Sequence, residues 1–383
     1  MLELFKIKEL LTFSLFLHAE KMKIKFKIEN YFTLFLFLTV LPNVGFSQSE
    51  VKIIKFLAGQ TVNDIVLDGD KIWAATEGNG VNELYIKENR VKNYSPENNK
   101  LSNGIIFAIE KSRKYIFAGS IDGLFIFDKR RKRWAKRKFG KGGQLGNYIR
   151  DLAFDENHKN LWIGRFQYLS RFSLRKRRFY DYDLTINNDE KTNSVTTLKI
   201  DKNGFLWTGT DNGLFRIDIS DEIVDSLNKD YFSNKHNMFP KSGKMISVSA
   251  LLFERDNIWI GCNKFVTNEN PDFNSGGLYK WDGGIEWKLF DKSTGLGGDG
   301  ISALAIAGNY IWAGVYDFGK NTKEEYGRGI SLINRLTGKV TRIVDERLPS
   351  KINAFLFDGS NMWIAADNGL YELNITNNLL NWK

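Results

Sequence analysis

Seven short segments of this chain share one pattern: an apolar stretch, an aromatic residue at a fixed point, and a small residue two places on. They read KIWAA, YIFAG, LWIGR, LWTGT, IWIGC, IWAGV and MWIAA, anchored by Trp73, Phe117, Trp162, Trp207, Trp259, Trp312 and Trp363. Successive anchors lie 44, 45, 45, 52, 53 and 51 residues apart. A period in that range is the mark of a β-propeller, in which each repeat is one blade. The expected fold class is therefore all-β: a seven-bladed β-propeller of four-stranded antiparallel blades.

Each repeat reads as four strands. The innermost precedes the anchor, as in TVNDIVLD, IRDLAFD and SVSALLFE, and is rich in apolar and β-branched residues. A turn such as Lys202–Asn203–Gly204 follows, where Asn and Gly tolerate positive φ. The second strand holds the anchor. Its large ring is expected to pack between blades, and the small residue to leave room for the neighbouring sheet. The third strand opens on a Gly-Leu type pair and alternates, as in GLFIFD and GLYELNI. The outermost is polar and variable, from VKNYS to VTRIV, with charges that discourage edge pairing. Two segments compete to complete the last blade and close the ring, Lys52–Leu57 (KIIKFL) and Leu379–Lys383. The first is longer and more apolar and is favoured.

Residues 1–47 do not fit the repeat. Lys21, Lys23, Lys25 and Lys27 precede an apolar run from Tyr31 to Phe46, and Gly45 and Ser47 sit three and one positions before a cleavage point. That order is a secretory signal pattern, with Met22 as the expected true start and the residues before it as an upstream extension. The competing reading, a permanent membrane helix, needs ~20 apolar residues and is opposed by Pro42. Residues 48–383 are then the propeller, exported to the periplasm or beyond. The single cysteine, Cys262, excludes an intrachain disulfide, and repeated sheets bury a large core without one.

The repeat resembles the two-component regulator propeller repeat, whose consensus reads LWIGT-dGL-ryd. The copies that carry the likeness best are FLWTGTDNGLFRID (Phe205–Asp218), MWIAADNGLYELN (Met362–Asn374) and YIFAGSIDGLFIFD (Tyr115–Asp128). It covers nearly all of residues 60–378. Blade three departs most, because Arg165–Gln167 replaces the Thr-Asp-Gly turn. The resemblance implies an extracytoplasmic sensor module, of a kind often carried by hybrid histidine kinases that respond to polysaccharide fragments. The sequence ends within the last repeat, so any signal is expected to pass through a separate protein.

Where a site could lie follows from the topology. Loops between second and third strands share a face with those joining one blade to the next, and that face surrounds the channel mouth. Two such loops are long, Asn263–Gly276 and Val315–Arg328 on neighbouring blades. They suggest a raised wall, with Phe265, Phe273, Tyr316, Phe318 and Tyr326 as candidates for stacking on a sugar, although loop drift explains length equally well. His236 lies in another long connection, Asp230–Ile246, and a lone histidine there is ordinarily just solvated. No Cys/His metal cluster and no nucleophile triad can be assembled, so neither metal, cofactor nor enzymatic activity is expected. A lyase using His236 or a loop tyrosine as base is the least favoured reading.

The sharpest electrostatic feature is KRRKRWAKRK: Lys129, Arg130, Arg131, Lys132, Arg133, Lys136, Arg137 and Lys138, with no acid among them. Arg175, Lys176, Arg177 and Arg178 add four charges in the next repeat. The whole chain carries +10, of which +2 falls in residues 1–47, so these twelve hold the entire excess over the rest. Both runs are expected in turns between third and outer strands, forming one rim patch away from the mouth. An anionic surface, an acidic polysaccharide or an acidic protein would suit it. A solvated edge that blocks aggregation would also account for it. An exported chain is not expected to meet nucleic acid, and a monomer is expected. A protein-interaction scaffold docking through this rim is the second functional reading, behind recognition of a carbohydrate or other small ligand at the mouth.

Overall fold

A computed structural model of the chain describes residues 51–375 apart from 99, 221–226, 236–237, 267–272 and 320–323. Within them the backbone forms seven four-stranded sheets, every strand pair antiparallel. This is the seven-bladed propeller that the anchor spacing calls for. Blades one to six each use four consecutive strands, whereas blade seven takes its outer strand from the start of the chain. That strand, Ile53–Phe56, pairs with Gly369–Asn374 in the register Ile53↔Leu373 to Phe56↔Leu370. The amino-terminal segment thus closes the ring, and the hydrophobic Phe56 covers Trp363 at 5.8 Å.

All seven anchors are buried, from 0% exposed at Phe117 and Trp363 to 3% at Trp207. Each turns toward the next blade. Trp73 meets Phe127 at 5.2 Å, Trp207 meets Trp281 at 6.1 Å and Trp312 meets Phe355 at 6.3 Å. The small residue two places on is there for clearance. A Cβ on Gly119 would come within 2.4 Å of Ile149, and one on Gly261 within 2.6 Å of Ile301, each the first apolar residue of the next blade.

The inner strands are Val62–Asp68, Ile106–Lys111, Ile149–Asp155, Val195–Ile200, Val248–Glu254, Gly300–Ala307 and Ile352–Phe357. Every one of them slips register by one residue at the same place, near its first turn of pairing. The skipped residues are Asn63, Phe107, Arg150, Thr196, Ser249, Ser302 and Asn353. A bulge of this kind re-aims a side chain out of the pleat. Four of the seven use that freedom to reach the next blade. Asn63 donates to the Ile106 carbonyl and Asn353 to that of Val62, at 2.9 and 2.8 Å, while Thr196 and Ser249 donate to Val248 and Ile301. The ring is therefore laced at its centre by a repeated side-chain bond as well as packed by its tryptophans.

Two segments read as loops are partly strand. The second and third strands of blade five run Asn257–Phe265 and Asn274–Trp281, and those of blade six Tyr310–Phe318 and Glu325–Asn334. The long insertions are protruding hairpins, because alternating residues past the Gly of each anchor motif keep finding cross-strand partners, out to Phe265↔Asn274 and Phe318↔Glu325. Likewise Lys229–Phe232 is the outer strand of blade four, so the connection expected from Asp230 starts later.

Candidate functional site

The seven inner strands enclose a central channel of 590 Å³, lined by the bulged residues at one end and by Ile65, Ile109, Leu152, Leu198, Leu251, Leu304 and Phe355 one level down. The walls also carry charge. Asp64 bridges blades one and two, accepting from the N–H groups of Ile65 and Ile109 at 2.8 Å each. Asp151 does the same between blades three and four, accepting from Leu152 at 2.7 Å and Leu198 at 2.6 Å. Burial, then the Asp151 charge, push Asp64 up to about 8. Burial raises Glu110 to about 7 and Asp151 to about 6. Asp64 and Asp151 are struts first: each holds two backbone donors that a bulge would otherwise leave unpaired.

The bulged ring is uneven, and the unevenness marks the mouth. Phe107 and Arg150 sit on adjacent blades and take no part in the lacing. Phe107 packs on Tyr148 at 4.9 Å, and Tyr148 stacks on Phe166 at 6.0 Å with ring planes 5° apart. The Arg150 guanidinium lies 6.0 Å from the Phe166 ring and bonds Asp211 at 3.0 Å and Ser194 at 3.1 Å. All three rings keep part of their surface exposed. The result is a row of three aromatics beside a cation, at the rim of a polar channel.

Blade three completes that row because its turn departs from the repeat. Arg165 stands where other blades have Thr, Ser, Cys, Val or Ala, and it is fully buried. Its guanidinium donates to the carbonyls of Lys141 and Gly146 at 2.9 and 2.6 Å and to Asp181 at 2.7 Å, lying over Phe139. It fastens the loop that carries Tyr148, and the next residue, Phe166, donates its N–H to the Tyr148 carbonyl at 3.0 Å. The departure at Arg165–Gln167 was visible in sequence. Its consequence was not, because Phe107 and Tyr148 come from other segments.

The wall candidates divide. Phe265, Phe273 and Phe318 do meet, with Phe265 4.9 Å from Phe318 and 6.1 Å from Phe273. Phe265 is 41% exposed and Tyr326 is 40% exposed, the latter opposite Asp317 on its hairpin. Tyr316 is not available for stacking, contrary to expectation. It is 6% exposed, because Gly300 leaves the space its ring fills, and its hydroxyl donates to Asn263 at 2.9 Å. His236 lies outside the described residues.

The basic run is divided between two faces, which corrects the single patch expected in turns. Lys129 to Lys132 occupy the turn, but Arg133–Arg137 is the outer strand of blade two. It carries the charge across to the mouth side, where Lys136 and Lys138 both pair with Asp122 of the second-to-third turn. At the other end Lys129 bonds Asp68 at 2.8 Å, and Arg131 is 3.9 Å from Asp128 while Arg130 extends outward. Lys132 adopts a φ of 52° in that turn. In blade three Arg175, Lys176 and Arg177 form the turn, and Arg178 opens the outer strand over Tyr180 at 5.4 Å. Among the described residues no cluster of three or more metal-ligating side chains occurs.

Residues 189–212, comprising the inner and second strands of blade four and their approach, match the family model described as Two component regulator propeller. The repeat read from the sequence is that repeat. No curated protein matches the chain at a meaningful level. Among solved structures it is similar to the extracellular domain described as that of a one-component system from B. thetaiotaomicron, at 19% identity and a TM-score of 0.62. That match covers 85% of this chain and 40% of the other, so this chain spans about two fifths of it. It is also similar to virginiamycin B lyase from Staphylococcus aureus, at 12% identity and a TM-score of 0.62, over 85% of this chain and 100% of the lyase. At these identities the likeness is one of fold.

Proposed function

We propose that this chain is an exported recognition module of the sensor type, which takes a carbohydrate at the channel mouth. The observation that carries this is the row Phe107–Tyr148–Phe166 with Arg150 beside it. Flat, partly exposed rings offer a face for the C–H side of a sugar, and the guanidinium and the polar ring residues below offer hydrogen bonds. A site of few, fixed polar groups on an apolar platform is how small-ligand pockets gain orientation. The sensor-type relatives and the basic, apolar, small-residue order of residues 21–47 support export, with a mature start at Gln48.

A glycan array on the purified mature chain tests the reading. Phe166→Ala, which leaves the buried Arg165 clamp in place, should weaken the best oligosaccharide by roughly tenfold, the loss expected for one stacking ring. Equal affinity in the variant would place the site elsewhere, with the Phe265–Phe318 hairpins as the next surface to probe.

A further inference from the structure

The blade-two anchor is the one phenylalanine among seven, fully buried and packed on Phe154 of blade three at 5.6 Å. Two clefts of 280 and 320 Å³ lie between blades two and three on the outer side of the ring, both bordered by Tyr115 and Leu174. The accessible floor of the first is apolar, from Tyr115, Ile126, Ala135 and Leu174 over the buried Phe117 and Phe172. Its rim is not: Arg131, Arg133, Arg137 and Arg177 all converge there.

The charges sort by type. Lys129, Lys136 and Lys138 turn away to Asp68 and Asp122, and the four cations left at the cleft are all arginines. Among the described residues Arg133, Arg137 and Arg177 have no acid within ion-pair distance, and only Asp128, 3.9 Å from Arg131, is at hand. Like charges gathered over an apolar floor repel one another, with no gain to the fold. The planar guanidinium fork matches phosphate, sulfate and carboxylate in two-point contact, which a lysine cannot do.

We propose that this cleft binds an amphiphilic anion, a ligand with an apolar body held on Ile126, Ala135 and Leu174 and an anionic head held by Arg131, Arg133 and Arg177 at the turn end, with Arg137 at the far end of the strand. Alternation puts Arg133 and Arg137 on one face of the outer strand with Ala135 between them, so a chain lying on Ala135 would have a cation at each end.

The test uses the mature chain and dodecyl phosphate below its micelle-forming concentration, followed by calorimetry. Inorganic phosphate and neutral dodecyl maltoside serve as the two half-ligands. Dodecyl phosphate should bind at least about tenfold more tightly than either. Ala135→Glu, on the exposed face of the outer strand, should reduce that affinity at least about tenfold with an unchanged melting temperature. Replacing Arg131, Arg133, Arg137 and Arg177 by Gln should abolish the preference for the phosphate head. Dodecyl phosphate binding no tighter than inorganic phosphate would overturn the proposal. So would binding indifferent to Ala135→Glu. Arginine-dependent capture of a sulfated polysaccharide in preference to dodecyl phosphate would also overturn it, and would make the rim a plain polyanion surface.

Discussion

At the scale of single residues, the anchors do the work their spacing suggests, though not in equal ways. Trp207 is 3% exposed, stacks on Phe232 at 6.0 Å and donates its indole N–H to Asp201 at 2.9 Å, in the turn that opens its own strand. Trp259 and Trp363 make the same bond to Glu254 and Asp358. Trp207→Ala should therefore lower stability by about 3–5 kcal/mol through lost packing, as large-to-small core changes do. Equilibrium denaturation reads this directly, and a loss below ~1 kcal/mol would mean that the ring is not in the core. The residue that most shapes the candidate site, Arg165, gives no such periodic signal. It is one buried cation whose two terminal nitrogens donate to two carbonyls and a carboxylate, and it holds Tyr148 and Phe166 together.

At the scale of elements, the strand that decides the ring is the first one. Ile53–Phe56 supplies the fourth strand of blade seven from the far end of the sequence. Without it Gly369–Asn374 becomes an open edge, and Trp363 loses Phe56. An open apolar edge pairs with other chains. Deleting residues 51–57 should lower the thermal midpoint and shift the protein to larger species in size-exclusion chromatography. A truncated chain that elutes and melts like the parent would show that the ring closes without this strand. The tall hairpins of blades five and six are a second element-scale feature. Their strands pass the usual strand end by about three residues, roughly 10 Å of extra height, and set Phe265 and Phe318 on a wall.

At the scale of the whole ring, the charge in the channel makes stability depend on pH. Asp64, Glu110 and Asp151 are pushed up to about 8, 7 and 6, chiefly by burial and partly by one another, with Lys111 and Lys199 opposing. Their folded values lie above those of an unfolded chain, so the folded ring holds protons that the unfolded chain gives up. Stability from these groups is complete below about pH 4 and is lost as pH rises toward about 8. Carboxylates held low by partners, such as Asp122 with Lys136 and Lys138, act in the opposite sense and at lower pH. The melting temperature should fall between about pH 5 and 8, and Glu110→Gln should flatten that fall without breaking the two carboxylate struts. A variant that tracks the parent across this range would show that Glu110 does not titrate there.

The sequence alone determined the architecture, since seven anchors, their spacing and their small partners admit one closed arrangement of sheets. It also foretold the closing strand, because KIIKFL is an apolar strand with no partner in its own repeat. Periodic features of this kind are local, and each copy repeats the evidence of the last. What the tertiary structure decided is everything that depends on which repeats become neighbours. The bulge that turns seven ring residues into the channel has no mark in composition. The row Phe107–Tyr148–Phe166 is assembled from two blades and a loop. Tyr316 passed from candidate to core because a glycine sixteen residues away, Gly300, left room for its ring. The basic run looked continuous in sequence, but a strand that crosses the blade carries successive charges to opposite faces, where different acids meet them. A repeat fixes the frame by short-range pattern, whereas a site is made by the exceptions to it, and only packing brings those exceptions together.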